Sequence, residues 1–160
     1  MAQTAGQLLA QVAPRGAQAG QTLHWPAQLH EIGACIAHSG YHRHGAYILE
    51  HTDAAGFTQS ELARLALLVR AHRGKLRKLE LDWDDADVIL PLACLRLAVA
   101  LCHARRDPDL GDLRLTHQGQ RLALHLRATW AQAYPQSAHL LQEECGDWQR
   151  TPWSLELVEQ

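Results

Sequence analysis

The stretch that most constrains this chain is "WDDADVILPLACLRLAVALCHARR", residues 83–106. It has helical length, and its apolar residues fall at every angle of a helical wheel, broken inside only by Arg96. A helix without a polar face offers water nothing and must be enclosed by other elements. The acids Asp82, Asp84 and Asp85 at its start and the basic end at Arg106 complement the helix dipole. Pro91, within the first turns, either kinks this helix or sets its true start. A chain of 160 residues with 47% hydrophobic content can supply the covering layer.

Most of the chain before this helix has helical spacing. "AGQLLAQVAP" predicts a helix stopping at Pro14, and "RGAQAGQ" a loop. A second helix is expected from Trp25 to about His38 with Thr22 as cap, and a third from Tyr41 to His51. "GFTQSELARLALLVRAHR" opens on Thr58–Gln–Ser–Glu61, a capping box in which Thr58 and Glu61 satisfy each other's free amides. Leu62, Leu65, Leu68 and Val69 form the apolar face behind it, and Gly74 interrupts. After "DPDLGD" the character changes. "LRLTHQGQRLALHLRATW" alternates with period two on both sides of Gly119, which predicts a hairpin. "YPQSAHLLQEECGDW" predicts a helix begun near Pro135, and "WSLELVE" a final strand. The expected fold class is mainly α, a helical domain over 1–108, followed by a small α+β unit (ββαβ) over 109–160.

Charge and cysteine usage narrow the function classes. The formal net charge is −2, but residues 1–80 hold eight Lys and Arg against five Asp and Glu, and residues 81–160 hold seven against twelve. The positive charge concentrates in "VRAHRGKLRKL", residues 69–79, which is either a solvated face or a docking surface for a polyanion. Cys35, Cys94, Cys102 and Cys145 are widely spaced without a CxxC pair, so disulfides are not expected. No long uncharged apolar run and no signal pattern occur, and a soluble, cytoplasmic protein without a membrane partner is expected. The five tryptophans (Trp25, Trp83, Trp130, Trp148, Trp153) are dispersed and fit a core better than base-stacking platforms, so no nucleic acid is expected. No Gly-rich phosphate loop, GxSxG or HExxH occurs.

His30, His38, His42, His44 and His51 crowd residues 29–57. "LHEIG" resembles the His–Asp pair of the HD superfamily of metal-dependent phosphohydrolases, where a divalent ion polarises a phosphoryl oxygen and acidifies a bound water. Here the pair is His30–Glu31, the candidate metal ligands, with His38, His42, His44 and His72 able to add to a site. Against a working centre, Glu reaches about one methylene further than Asp, no histidine precedes residue 24, and the late apolar helix carries Arg96 in place of an aspartate. Any one of these histidines also reads as an ordinary helix residue.

The longer string "WPAQLHEIGACIAHSGYHRHGAYILEHTDAAGFTQSELARLALLVRAHRGKL", continuing through "LPLACLRLAVALCHARR" and "TWAQAYPQSAHLLQEECGDW", resembles the C-terminal region of the exopolyphosphatase/guanosine pentaphosphate phosphatase (Ppx/GppA) family. "SGYHRHGAYIL" with "LVRAHRGKL" is more similar to the exopolyphosphatase branch. The resemblance implies an HD-like helical domain and a small α/β domain, a non-catalytic polyphosphate-binding and dimerisation region. It places catalysis and magnesium in upstream actin-like domains absent from this chain, so that this part is expected to need no cofactor and to be inactive alone. Inorganic polyphosphate, those upstream domains and a second copy in a homodimer are the implied partners. The candidate polyphosphate contacts it implies are His42, Arg43, His44, Arg70, His72, Arg73, Lys75, Arg77 and Lys78, where Arg matches phosphate oxygens with paired donors and Lys acts as a point charge. Two other readings remain open: a stand-alone, metal-dependent HD-type phosphohydrolase acting on a nucleotide or (p)ppGpp, and an interaction domain whose basic stretch is a solvated loop.

Overall fold

The structure, a computed structural model, describes residues 1–13, 19–103 and 109–159. The enclosed helix is α5, Ala86–Leu101, and every residue from Ile89 to Ala98 is buried. Asp85 is its cap, its carboxylate accepting from the Asp87 amide at 2.9 Å. Pro91 lies inside the helix and sets no boundary. It has no N–H to give the carbonyl four residues back, that of Asp87, and the Arg64 guanidinium donates to that carbonyl instead. Arg105 and Arg106 lie outside the described residues.

Four helices precede α5, and three of them cover it. In α1, Ala2–Val12, the residues Thr4, Ala5, Leu8, Leu9 and Val12 form one buried stripe. α2 spans Ala19–Leu29, α3 Tyr41–Glu50 and α4 Gln59–Ala71. α1, α2 and α4 pack on α5, and α3 packs on α4 around a smaller apolar cluster that includes Ala46, Leu49, Leu62 and Val69. The capping box of α4 is formed: the Thr58 amide donates to Glu61 Oε2 at 2.7 Å, and the Glu61 amide to Thr58 Oγ1 at 3.2 Å. Caps of this kind contribute about 1 kcal/mol.

Two helices differ in extent from the sequence reading. α5 stops at Leu101, short of Arg106. α2 is displaced at both ends, its first residues taking part of the expected 15–21 loop. α2 begins at Ala19 and ends at Leu29, so Thr22 lies within it and does not cap it, and Ile32–Cys35 forms a separate 3-10 turn. The physical reason is Gly33. A Cβ there would stand 2.0 Å from the Tyr41 carbonyl oxygen and 2.3 Å from the Gly45 amide nitrogen. The chain turns so that its bare backbone can press against α3.

The second part is a three-stranded sheet of order β1-β2-β3 backed by helices. β1 (Leu113–Gln118) and β2 (Arg121–Leu126) pair antiparallel across the Gly119 turn, in a register that puts Gln118 opposite Arg121 and Leu115 opposite Leu124. Gly119 has φ 60°, a conformation that favours glycine. From β2 the chain crosses through α6 (Ala128–Ala133) and α7 (Pro135–Trp148) to β3 (Ser154–Glu159), which pairs parallel with β2. The observed class is mainly helical structure followed by a small α+β unit, as expected, but its order is ββααβ. Residues 128–130, expected to extend the hairpin, begin the extra helix α6.

The main apolar cluster runs through both parts, from Leu8 and Leu95 to Leu124, Trp148 and Leu155. Polar contacts reinforce the seam. Gln11 Oε1 accepts from the Leu115 amide of β1 at 2.6 Å, and Ser137 Oγ donates to the Leu101 carbonyl at 3.2 Å. Trp130, Trp148 and Trp153 are buried and Trp83 half-buried, but Trp25 is 47% exposed, edge-on to Phe57. All four cysteines are free thiols, and burial pushes the Cys94 thiol up. Among the described residues no helix is long and apolar enough to cross a membrane.

Candidate functional site

The N-terminus of α3 and the C-terminus of α4 meet at one corner. α3 starts from Gly40, whose φ of 70° turns the chain in from the Ser39 side, and no side chain caps the helix. There is no acid in its first turn to offset the positive dipole end beside His42, Arg43 and His44, and the Arg43 and His44 amides turn back to the Gly40 carbonyl at 2.8 and 3.3 Å. α4 ends at Ala71 and brings up Arg70, His72 and Arg73, followed by Gly74 at φ 85°. Arg73, Arg43, Arg70 and His44 all lie within electrostatic reach of His42. The His42 imidazole is held below its ordinary range, first by burial and then by those neighbouring cations in the order given. Its Nδ1 is buried without a hydrogen-bond partner.

Five of the nine candidate contacts are thus gathered at the corner: His42, Arg43, His44, Arg70 and Arg73. Lys75, Arg77 and Lys78 continue from it on an exposed 3-10 turn, Leu76–Lys78, anchored by the buried Leu76. Among the described residues, none of Arg43, Arg70, Arg73, Lys75, Arg77 and Lys78 forms an ion pair, and all six are exposed. The corner and its extension present uncompensated positive charge.

The structure takes His72 out of this exposed set. It is 1% exposed. Its Nδ1–H donates to the Val69 carbonyl at 2.6 Å, which leaves Nε2 as the acceptor facing the Tyr41 hydroxyl at 3.4 Å. Burial, with His30, His42 and Arg96 nearby, brings its pKa down to about 3 despite the hydrogen bond to Val69. A ring that stays neutral at ordinary pH is no cation for a polyanion. The sequence carried a signal of this: His72 follows Leu65, Leu68 and Val69 by seven, four and three residues, on the buried face of α4.

Behind the corner lies a cavity of about 660 Å³ between the end of α4, α5 and α7. Arg73 and Arg96 line it, as do the carboxylates of Glu31, Glu143, Glu144 and Asp147, with Tyr41, His30 and His72 between them. Arg96, 2% exposed, spans the seam. Nε and Nη2 donate to the two carboxylate oxygens of Glu144 at 2.8 and 2.7 Å, and Nη1 donates to the Ala71 carbonyl at 2.8 Å. Asp147 stands 3.7 Å from Nη2. Such a bidentate pair neutralises a buried charge that would otherwise be very costly. Sequence reading singled out Arg96 but not its partner Glu144, because only tertiary packing joins positions 48 residues apart.

His30 and Glu31, the candidate metal ligands, follow α2. His30 Nδ1–H donates to the Ala27 carbonyl at 2.9 Å, and its Nε2 is 3.9 Å from Glu31 Oε1. The His30 ring meets His72 edge-on, centroids 5.2 Å apart. Among the described residues no group of three or more His, Cys, Asp or Glu side chains is placed to hold a metal ion. Near His72 the structure sets the Arg96 guanidinium, a permanent cation.

Comparison with known proteins adds the lineage. The family described as Ppx/GppA phosphatase, domain III, matches residues 1–145. Among curated relatives, a guanosine-5'-triphosphate,3'-diphosphate pyrophosphatase of Pseudoalteromonas translucida is 36% identical over 132 residues, covering 81% of this chain and 27% of the relative. That of Vibrio campbellii is 35% identical over 167 residues, covering 99% and 33%. That of Photobacterium profundum is 37% identical over 146 residues, covering 89% and 29%. The chain spans about a third or less of the length of these relatives. Their names support the family and not its exopolyphosphatase branch in particular. With a match over nine-tenths of its length, the chain belongs to the Ppx/GppA phosphatase family and carries that family's domain III.

Proposed function

We propose that this chain is a non-catalytic, substrate-holding part of a phosphatase, and that its α3–α4 corner binds a chain of condensed phosphates. The observation that carries the reading is the set of six exposed Lys and Arg side chains without ion pairs, arranged at and beyond an uncapped helix N-terminus. Each cation that meets a phosphate releases condensed counterions, and the positive dipole end of α3, with no acid in its first turn, adds to the attraction. The cavity behind the corner is a poor place for phosphate, because its lining carboxylates outnumber its arginines. The phosphate chain therefore runs over the outer face. Catalysis, with its magnesium, belongs in this reading to domains outside this chain. Inorganic polyphosphate and guanosine pentaphosphate, the latter suggested by the names of the relatives, share the chemistry the corner recognises.

The test is titration of the purified chain with long-chain polyphosphate and with guanosine pentaphosphate at several salt concentrations. Tight, salt-steep binding is expected. In Arg73→Ala/Lys75→Ala/Lys78→Ala the slope of log affinity against log salt is expected to fall by about 2. An unchanged slope would reject the corner. Tighter binding of polyphosphate than of guanosine pentaphosphate at equal phosphate concentration would favour the exopolyphosphatase branch, and the reverse order the pentaphosphatase. Phosphate release by this chain with magnesium or manganese, abolished by His30→Ala, would overturn the non-catalytic reading.

A further inference from the structure

We propose that Tyr41 is the positioning residue of the phosphate-binding corner, its ring holding the Arg73 guanidinium in the orientation that meets phosphate. The inference rests on the reading of the corner given above and goes beyond it, since Tyr41 itself carries no charge and is 9% exposed.

The geometry is that of a hub. Arg73 Cζ lies over the Tyr41 ring, 5.1 Å from its centroid. On other sides the ring meets His72 at 5.6 Å, tilted by 40°, and His42 at 6.1 Å, nearly perpendicular. The hydroxyl faces His72 Nε2 at 3.4 Å, and the hydrogen bond from His72 Nδ1–H to the Val69 carbonyl fixes which nitrogen accepts. The ring is thereby held against His72, whose imidazole stays neutral at ordinary pH, and against His42, held below its ordinary range by burial and neighbouring cations.

Arg73 needs such a support. It follows the last turn of α4, precedes a glycine at φ 85°, and has no carboxylate partner among the described residues. A free arginine side chain gives up much of its rotamer entropy when it is fixed. A guanidinium lying over an aromatic ring is already restrained, and the ring carbons offer no oxygen to take up its N–H donors. Its N–H edge stays free for paired donation to phosphate oxygens. A carboxylate partner would restrain it as well but would occupy that edge and cancel the charge. Tyr41 supplies restraint without competition.

The test is a double-mutant cycle on the full chain, with binding of long-chain polyphosphate as readout and thermal unfolding as the check on folding. Tyr41→Leu is expected to weaken binding about fivefold in the wild-type background. It is expected to change nothing further in the Arg73→Ala background, whereas Tyr41→Phe, which keeps the ring, retains nearly full affinity. Equal loss from Tyr41→Leu in both backgrounds, or none in either, would overturn the proposal while leaving the corner intact. An Arg73→Ala variant that binds as well as wild type would instead bring down the corner reading and this proposal with it. Should Tyr41→Leu fail to fold, NMR of the unaltered chain decides: ring-current displacement of the Arg73 Nε–H resonance is expected, and a random-coil position would overturn the proposal.

Discussion

Arg96 and Arg73 both line the cavity beside His72, yet they meet it on opposite terms. Arg96 is 2% exposed, gripped by both oxygens of Glu144 and by the Ala71 carbonyl, with Asp147 close by. Arg73 is exposed, lies over an aromatic ring and has no carboxylate partner among the described residues. In the first region the arginine's charge is consumed inside the molecule, and the product is cohesion between the helical layer and α7. In the second, charge is left unspent on the surface, where it adds little to stability and is available to a ligand. The same residue type serves either end, and the carboxylates around it decide which.

The largest effect that would break this contrast lies at the joint. Arg96→Met strands Glu144 beside Asp147 and is expected to cost about 3–5 kcal/mol in urea denaturation, with Arg96→Met/Glu144→Gln recovering a large part. A cost below about 1 kcal/mol would mean that the seam is held by its apolar core alone.

Next comes pH. The His72 ring stays neutral in the folded chain down to about pH 3, against an ordinary value of 6.5 when unfolded. Between those values the unfolded chain binds more protons, so stability is expected to fall as pH drops below 6.5. The loss from His72 should reach about 2 kcal/mol between pH 7 and pH 5. His42, also held down, acts in the same direction. Denaturation at pH 7, 6 and 5 should give a visibly flatter profile for His72→Gln than for wild type; parallel profiles would assign the acid sensitivity elsewhere.

The smallest effect is at the corner. Lys75→Ala and Lys78→Ala are each expected to shift stability by no more than about 0.5 kcal/mol. A loss of more than about 1 kcal/mol would show that these lysines are spent on the fold after all.

Legibility in the sequence follows the range of the forces involved. α4 was readable because its cap is local: Thr58 and Glu61 are three residues apart and satisfy each other. α5 was readable because an all-apolar helix has one fate, and the hairpin because Gly119 sits between two period-two runs. The end of α2 was not readable, since the turn at Ile32–Cys35 answers to α3 and not to its own neighbours. The corner was half readable. Its cations were visible as a basic run, but the run concealed that His72 points inward with Leu65 and Val69 while Arg70 and Arg73 point out. Tyr41 stood in "SGYHRHG" among more conspicuous histidines, and its part became visible only when α4 brought Arg73 over its ring.

Gly33 connects these observations to heredity. It belongs to the pentapeptide that invited a metal reading, yet its own constraint is spatial: backbone meets backbone where the 3-10 turn presses on Tyr41 and Gly45. Gly45 on the facing helix is scarcely freer, for a Cβ there would come within 3.0 Å of Val69 and 3.2 Å of Ile32. Any side chain at 33 must displace the first turn of α3, and that turn carries His42, Arg43 and His44. Two positions with no charge thus govern where His42, Arg43 and His44 can stand, and what the surface can present is bounded by the absence of a side chain beneath it.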